Sequence, residues 1–199
     1  MNLIENILII AGISLDIFAD VECQGSLVAK VEKKQLAALC GVIMVWQLAA
    51  LALGDRLTVF LYGNGAAKNE TVVGFALAAA IFFGLGIRLL VKAVRNERIH
   101  ERREEGLKLR RSFRMAAATS IYTLLAGMAF GLLGTNLKLM LVTITLLTIM
   151  VVVTGTYTGY HFGYEYKRRA YIGGAFLLWI AGADVVIRDI LCYISVNSV

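Results

Sequence analysis

The stretch of sequence that decides the fold is residues 139–158, LMLVTITLLTIMVVVTGTYT, which contains no charged side chain. About 20 consecutive apolar residues are what an α-helix needs to cross the hydrocarbon core of a bilayer. The whole chain has the same character, since 59% of its 199 residues are hydrophobic, 17% are charged and the mean hydropathy is +0.73. One globular core of this length cannot bury so much apolar surface. The composition excludes an ordinary soluble enzyme or a disordered chain and predicts a protein embedded in the lipid bilayer.

Five further stretches are similarly apolar, and helices are the only open structures that satisfy their backbone groups within lipid. We therefore predict an all-α membrane protein with six transmembrane helices. The predicted spans are approximately 3–20, 35–53, 72–94, 112–134, 137–159 and 170–195. The first span has no basic segment before it and contains Glu5 and Asp16, so we interpret it as a true span rather than a signal peptide.

Lysine and arginine side chains concentrate in alternate loops, namely those after the first, third and fifth spans. The remaining loops carry only Arg56, Lys68 and Lys138. Basic loops stay in the cytoplasm, so both termini are expected outside, with loops 1–2, 3–4 and 5–6 cytoplasmic. The formal net charge of +6 thus follows membrane orientation, and we expect no nucleic-acid partner.

The two halves of the chain resemble each other. Residues 12–16 (GISLD) are similar to residues 118–122 (ATSIY), and residues 86–92 (GIRLLVK) are similar to residues 182–188 (GADVVIR). Each half contains three spans, an odd number, so the halves enter the membrane from opposite sides. The sequence predicts two inverted three-helix repeats, at 1–94 and 112–199, joined by a basic cytoplasmic linker at 95–111.

Ionisable side chains inside predicted spans are costly and indicate functional positions. Asp16 and Asp20 are four residues apart and share one helix face, where two carboxylates suit a hard cation such as manganese, magnesium or calcium. Arg88 and Asp184 occupy equivalent repeat positions with opposite charges. They are expected to form an intramembrane ion pair between the third and sixth helices.

Neutral oxygen donors also lie within the spans, namely Gln47 in the second and Thr119 and Ser120 near the start of the fourth. Such side chains bind ligands, or they bond back to their own helix and across helices. The sequence leaves both roles open.

Several of these segments together resemble one family. Residues 12–19 (GISLDIFA) are similar to the G-x-S-x-D-A-F-A motif in the first helix of bacterial manganese efflux pumps. Gln47, seven residues before Gly54, matches a polar second-helix position of that family. Residues 85–88 (LGIR) and 118–121 (ATSI) resemble its L-G-G-[RK] and A-T-S-[LI] motifs, and residues 154–159 and 170–174 resemble its fifth and sixth helices.

The resemblance implies a secondary transporter that exports Mn²⁺ from the cytoplasm, driven by an ion gradient, with membrane carboxylates in both halves as ligands. It implies no permanently bound cofactor, because manganese is the transported substrate. Asp16 inherits the first of these ligand positions. We expect Asp20, where the family usually has a small residue, to supply a further charge, so that Asp16, Asp20 and Gln47 form the metal site. In the second half Tyr122 stands where the family has Asp, so a possible second-half site consists of Thr119, Ser120 and the neutral phenol of Tyr122.

Three alternatives remain. The scaffold exports another small cation or an amino acid, or the chain is a divergent membrane protein that transports nothing, as the missing second-half carboxylate would favour. The third is an intramembrane aspartyl protease using Asp16 and Asp184, which requires two carboxylates close enough to share a proton. The sequence does not determine the oligomeric state.

Overall fold

In the computed structural model the chain forms six α-helices over the residues that the structure describes. These residues are 3–62, 68–95 and 109–197, with side chains described for 6–60, 74–95 and 112–187. The helices are α1 (Leu3–Leu27), α2 (Lys33–Tyr62), α3 (Lys68–Arg95), α4 (Leu109–Leu132), α5 (Leu137–Phe162) and α6 (Lys167–Asn197). The predicted all-α class is confirmed. Most of the linker predicted at 95–111 falls outside the described residues.

Five of the described helices, α2 to α6, are long and apolar enough to cross a membrane. They leave large apolar side chains such as Val45, Val142, Leu146, Phe176 and Ile187 exposed, as lipid contact requires. Helix α1 is not among the five, because every 18-residue stretch of it contains at least three acidic residues. The chain is thus a multi-pass membrane protein. Helix α1 can be the sixth predicted span only if its acidic side chains face protein rather than lipid.

The helices pack in a pattern that places α1 at the centre of the candidate site. Helix α1 lies against α5 and α6, α2 lies against α4 and α5, and α3 lies against α6 and α4. The larger core cluster includes Ile13 of α1, Phe82 of α3, Phe130 of α4 and Leu178 of α6. Apolar packing on both sides of α1 therefore sets the rotation of this helix and the direction in which Asp16 and Asp20 point.

Glycines set the separation of two helix pairs. A Cβ atom added to Gly25 of α1 would lie 2.5 Å from the carbonyl oxygen of Thr156 in α5. One added to Gly127 of α4 would lie 2.6 Å from the carbonyl oxygen of Leu51 in α2. Small residues let helix backbones approach closely where lipid supplies no hydrophobic drive between helices. The chain has no proline and 19 glycines, so close packing of this kind depends on glycine.

Candidate functional site

The two carboxylates of α1 meet one ammonium group. Asp16 is 2% exposed, and its Oδ1 lies 2.7 Å from Nζ of Lys92 in α3. The same Nζ lies 3.6 Å from Oδ2 of Asp20, one helical turn further along α1. Because residues four apart share a helix face, one cation from the neighbouring helix reaches both carboxylates. A buried carboxylate needs such a partner, since an unpaired charge in this position would be strongly destabilising.

Two tyrosines complete this cluster. The hydroxyl of Tyr171 in α6 donates a hydrogen bond of 2.6 Å to Oδ1 of Asp20. Nζ of Lys92 lies 5.3 Å from the ring centroid of Tyr171 and 5.0 Å from that of Tyr122 in α4. Ammonium groups within about 6 Å of an aromatic face are attracted to it. Lys92 therefore sits among two carboxylates and two rings supplied by three other helices.

Local hydrogen bonding positions α6 for this contact. Oε1 of Glu22, near the end of α1, accepts a hydrogen bond of 3.0 Å from the backbone N–H of Tyr166, immediately before α6. The bond satisfies one of the donors that a helix start leaves without a partner. It fixes the start of α6 against α1, so that Tyr171 reaches Asp20 just over one turn further along.

Sequence reasoning missed Lys92. It lies within the third predicted span at 72–94, and an ionisable group inside a span is a functional candidate by default. It also lies four residues after Arg88, on the same helix face. That spacing, together with the matching spacing of Asp16 and Asp20, is the signal that could have identified it.

Arg88 lies next to the same cluster. Its guanidinium carbon is 4.5 Å from the centroid of the Tyr122 ring. A small cavity of about 10 Å³ is lined by Asp16, Arg88, Tyr122 and apolar side chains of α1, α3 and α6. Asp16 and Tyr122, which are equivalent in the predicted repeats, thus line one cavity. Asp184 is half-buried on α6, and its ion pair with Arg88 stays a prediction.

Gln47 bonds to α5 and does not line either cavity beside the carboxylates. It is 1% exposed, and its Oε1 accepts a hydrogen bond of 2.6 Å from Oγ1 of Thr148 in α5. Its Nε2 has no hydrogen-bond partner among the described residues. The cavities lined by Asp16 and Asp20 do not include Gln47. The structure therefore brings two of the three predicted metal ligands together and places the third between α2 and α5.

The neutral donors at the start of α4 bond to their own helix. The Thr119 hydroxyl donates to the carbonyl oxygens of Met115 and Ala116, each at 3.1 Å, and the Ser120 hydroxyl donates to that of Ala116 at 2.6 Å. Both side chains are buried. Of the three residues of the possible second-half site, Tyr122 alone lines the small cavity beside Asp16.

Within the part of the chain that the structure describes, no group of three or more His, Cys, Asp and Glu side chains is placed to hold a metal ion. The oxygen donors beside Lys92 are the two carboxylates and the hydroxyl of Tyr171. An ion bound there would have to draw on carboxylate, hydroxyl and water oxygens, which is the ligand chemistry of hard divalent cations.

A larger cavity of about 310 Å³ opens beside Asp20. Helix α3 contributes Arg88, Val91, Lys92 and Arg95 to its lining, and α6 contributes Lys167 and Tyr171. Four of the seven lining side chains are therefore cationic, and Asp20 is the only acidic one.

Apolar helices around a buried cluster of charges define a multi-pass membrane protein whose polar residues face the inside of the bundle. The family model described as "Putative manganese efflux pump" matches residues 30–186. The chain therefore belongs to this family of membrane transporters and is not an enzyme. The matched segment begins after α1, so it does not include Asp16 and Asp20.

Curated relatives agree over nearly the full length. The chain is 23% identical over 180 residues to "Putative manganese efflux pump MntP" of Crocosphaera subtropica, covering 90% of this chain and 93% of the relative. It is 24% identical over 191 residues to the protein of the same name from Methanoregula boonei, covering 96% and 99%. It is also 24% identical over 188 residues to that of Corynebacterium glutamicum, covering 94% and 97%. No solved structure matches the chain.

Proposed function

We propose that the chain exports manganese(II) from the cytoplasm by alternating access, with Asp16 and Asp20 as its charged ligands. The observation that carries the proposal is the convergence of both carboxylates on one cation inside the bundle. Membership of the efflux-pump family supports manganese as the substrate.

The packing of the helices supports an inverted repeat of six spans. Exchanging α1 with α4, α2 with α5 and α3 with α6 converts the α1–α5 contact into the α4–α2 contact and leaves α3–α6 unchanged. Single residues follow the same rule. Gly86 of α3 packs against Trp179 of α6, and a Cβ atom added to Gly182 of α6 would lie 3.3 Å from the ring of Phe83 in α3. Each aromatic residue lies three residues before the glycine of its own helix. Inverted repeats are typical of secondary transporters.

Helix α1 counts as the sixth span in this proposal because its described acidic groups, on Asp16, Asp20 and Glu22, contact protein groups. Asp16 faces Lys92, and Glu22 accepts the hydrogen bond from Tyr166. With three basic loops in the cytoplasm, the ends of α1 and α3 and the start of α6 lie on the cytoplasmic side. The carboxylates then stand where an ion arriving from the cytoplasm would meet them, and both termini lie outside.

When no metal ion is bound, Lys92 is the cation that pairs with Asp16 and Asp20. Two carboxylates with one ammonium carry one net negative charge, and Mn²⁺ bound to the same carboxylates beside the displaced ammonium changes this to one net positive charge. In the proposed cycle Mn²⁺ displaces Lys92 from Asp16 and Asp20, and the ammonium stays against the rings of Tyr122 and Tyr171. After release outside, Lys92 returns, so the carboxylates are not left uncompensated as the carrier resets.

The remaining predicted ligands have subordinate roles in this proposal. Gln47 offers the second lone pair of an amide oxygen that already accepts a hydrogen bond from Thr148. Tyr122 offers one neutral oxygen where the family has a carboxylate, and Thr119 and Ser120 have hydroxyl lone pairs left. The site therefore holds one carboxylate pair, from α1 alone, and is expected to bind a divalent ion more weakly than one with carboxylates in both halves.

The test is metal accumulation in manganese-sensitive bacterial cells that express the parent chain, Asp16→Asn or Asp55→Asn. The control makes the same chemical change on α2, outside the charge cluster. We expect the parent and Asp55→Asn to lower cellular manganese and Asp16→Asn to lose this effect, at equal amounts of protein in the membrane. Export by Asp16→Asn at the parent's rate would disprove the proposal.

The Lys92–Asp16 pair also favours a second candidate, a membrane protein that keeps the scaffold without transport, with the ion pair holding α1 to α3. Its distinguishing variant is Tyr122→Asp, which supplies the second-half carboxylate. If the parent does not lower cellular manganese and Tyr122→Asp does, the chain is a former pump and this second candidate replaces the first.

A further inference from the structure

One face of α3 lines the 310 Å³ cavity with positive charge. Arg88, Lys92 and Arg95 follow one another at spacings of four and three residues, which places them on one side of the helix. Lys167, in the first turn of α6, adds a fourth cation to the same lining. A cavity of this volume falls at the lower end of the range of about 300–1,000 Å³ that ligand pockets occupy.

The acidic groups of the cluster do not balance these cations. Asp16 and Asp20 both interact with Lys92, and Asp20 also accepts the hydroxyl of Tyr171. Among the described residues, the ion pairs that Asp16 and Asp20 form are both with Lys92.

Among the described residues, Glu22 and the exposed Glu165 are further acids near this end of the bundle, and neither lines the cavity. The Glu22 carboxylate exerts an electrostatic pull on Lys167. It is wholly buried, is committed to the backbone N–H of Tyr166 and does not line the cavity. The described residues that line the cavity therefore carry an excess of positive charge.

We propose that this cavity binds a phosphate-class oxyanion at the cytoplasmic face, held by Arg88, Arg95 and Lys167. Guanidinium groups match phosphate oxygens in a two-pronged geometry, and a lysine adds a flexible third donor. Basic pockets between transmembrane helices on this side of a membrane are suited to lipid head groups. The oxyanion is therefore either the phosphate of an anionic lipid of the inner leaflet or a free phosphate.

This inference does not depend on manganese export, but it bears on how a metal ion would approach. These three cations at the cavity wall repel Mn²⁺ on its way to Asp20. An oxyanion bound against Arg88, Arg95 and Lys167 reduces that repulsion and leaves Asp20 and Lys92 as the remaining charged groups of the described lining.

The experiment uses the full chain, purified in detergent and freed of lipid, with two arms. In the first arm, thermal unfolding is followed in sodium phosphate and in sodium chloride of equal ionic strength. In the second arm, native mass spectrometry counts phosphatidylglycerol bound at increasing lipid concentration, with phosphatidylcholine as the neutral comparison. The first arm reports a free phosphate, and the second reports a lipid phosphate.

The variants are Arg95→Gln and Lys167→Gln, with Arg169→Gln as the matched control. Arg169 lies two residues after Lys167 and is exposed, with its guanidinium 5.6 Å from the Tyr166 ring, outside the cavity lining. Each cavity variant is expected to weaken binding about tenfold, the effect of one charge-assisted hydrogen bond, while the control binds as the parent does. Arg95→Lys, which keeps the charge but loses the two-pronged geometry, should bind more tightly than Arg95→Gln and less tightly than the parent, and such graded binding would show that unfolding is not the cause.

Weaker binding by the cavity variants in the phosphatidylglycerol arm supports a lipid phosphate, and weaker binding in the phosphate arm supports a free anion. No preference for either anion by the parent overturns the proposal. So does an equal loss in Arg169→Gln, because binding would then follow surface charge rather than the cavity.

Discussion

Replacing Lys92 with methionine removes the ammonium and keeps a side chain of similar length. In the parent that ammonium is 2.7 Å from Asp16 and 3.6 Å from Asp20, the two groups proposed to bind Mn²⁺. A metal ion and Lys92 therefore compete for the same oxygens. Lys92→Met is expected to bind Mn²⁺ more tightly than the parent, although it loses a buried ion pair.

The size of the effect follows from the contact itself. A hydrogen bond between charged groups contributes about 1.5–3 kcal/mol net, and the metal must displace this bond in the parent. Since about 1.4 kcal/mol corresponds to a tenfold change, affinity should rise about 10- to 150-fold in Lys92→Met. Without metal the variant leaves buried Asp16 uncompensated, which is expected to cost about 3–5 kcal/mol of the free energy of unfolding. Manganese should therefore raise the melting temperature more in the variant than in the parent.

The assay is the electron paramagnetic resonance signal of free Mn²⁺ during titration of each purified protein in detergent, accompanied by thermal unfolding with and without metal. Arg169→Met is the matched control, because it removes one exposed cation from the first turn of α6 that does not line the cavity beside Asp20. Its affinity should change far less. Equal or weaker Mn²⁺ binding by Lys92→Met would refute competition between Lys92 and the metal, and Lys92 would then be a structural partner only.

Two further predictions concern the packing that holds the site. Gly127→Ala places a Cβ atom 2.6 Å from the carbonyl oxygen of Leu51 and should destabilise the protein by about 1–3 kcal/mol in thermal unfolding, because α2 and α4 must separate. Gly84→Ala, with nothing within 4 Å, is the control, and an equal loss there would contradict the packing argument. Thr148→Val leaves both polar atoms of the Gln47 amide without a protein partner and should cost about 1–3 kcal/mol. Thr154→Val, at an exposed threonine of the same helix that bonds to its own backbone, should be close to neutral, and equal costs would show that the Gln47 contact contributes little.

Properties set within one helix could be predicted from the sequence. The spacing of Asp16 and Asp20 predicts a common face, and the structure shows both carboxylates beside one ammonium. Apolar length predicts the membrane-spanning character of α2 to α6. Both follow from helix geometry and transfer free energy, which depend on neighbours only a few residues away.

Properties set between helices were harder to predict. Which cation pairs with Asp16 depends on the rotation and depth of α3 beside α1, and apolar periodicity does not fix either one when lipid and protein faces are equally apolar. For this reason Arg88 was predicted from the sequence as a functional residue and Lys92 was not. Gln47 was expected beside the carboxylates, but its partner is Thr148, because α2 packs on α5 as well as on α4.

The hydrogen bond from the N–H of Tyr166 to Glu22 joins the first helix to the start of the last, so it crosses between the two predicted halves. Two halves that rock as rigid bodies have to break such a bond, or carry both of its ends together, in every cycle. If the bond breaks in each cycle, its strength adds to the free-energy barrier between the inward-open and outward-open conformations. Loss of the bond between Tyr166 and Glu22 would change the turnover rate of the transporter rather than its affinity for the ion.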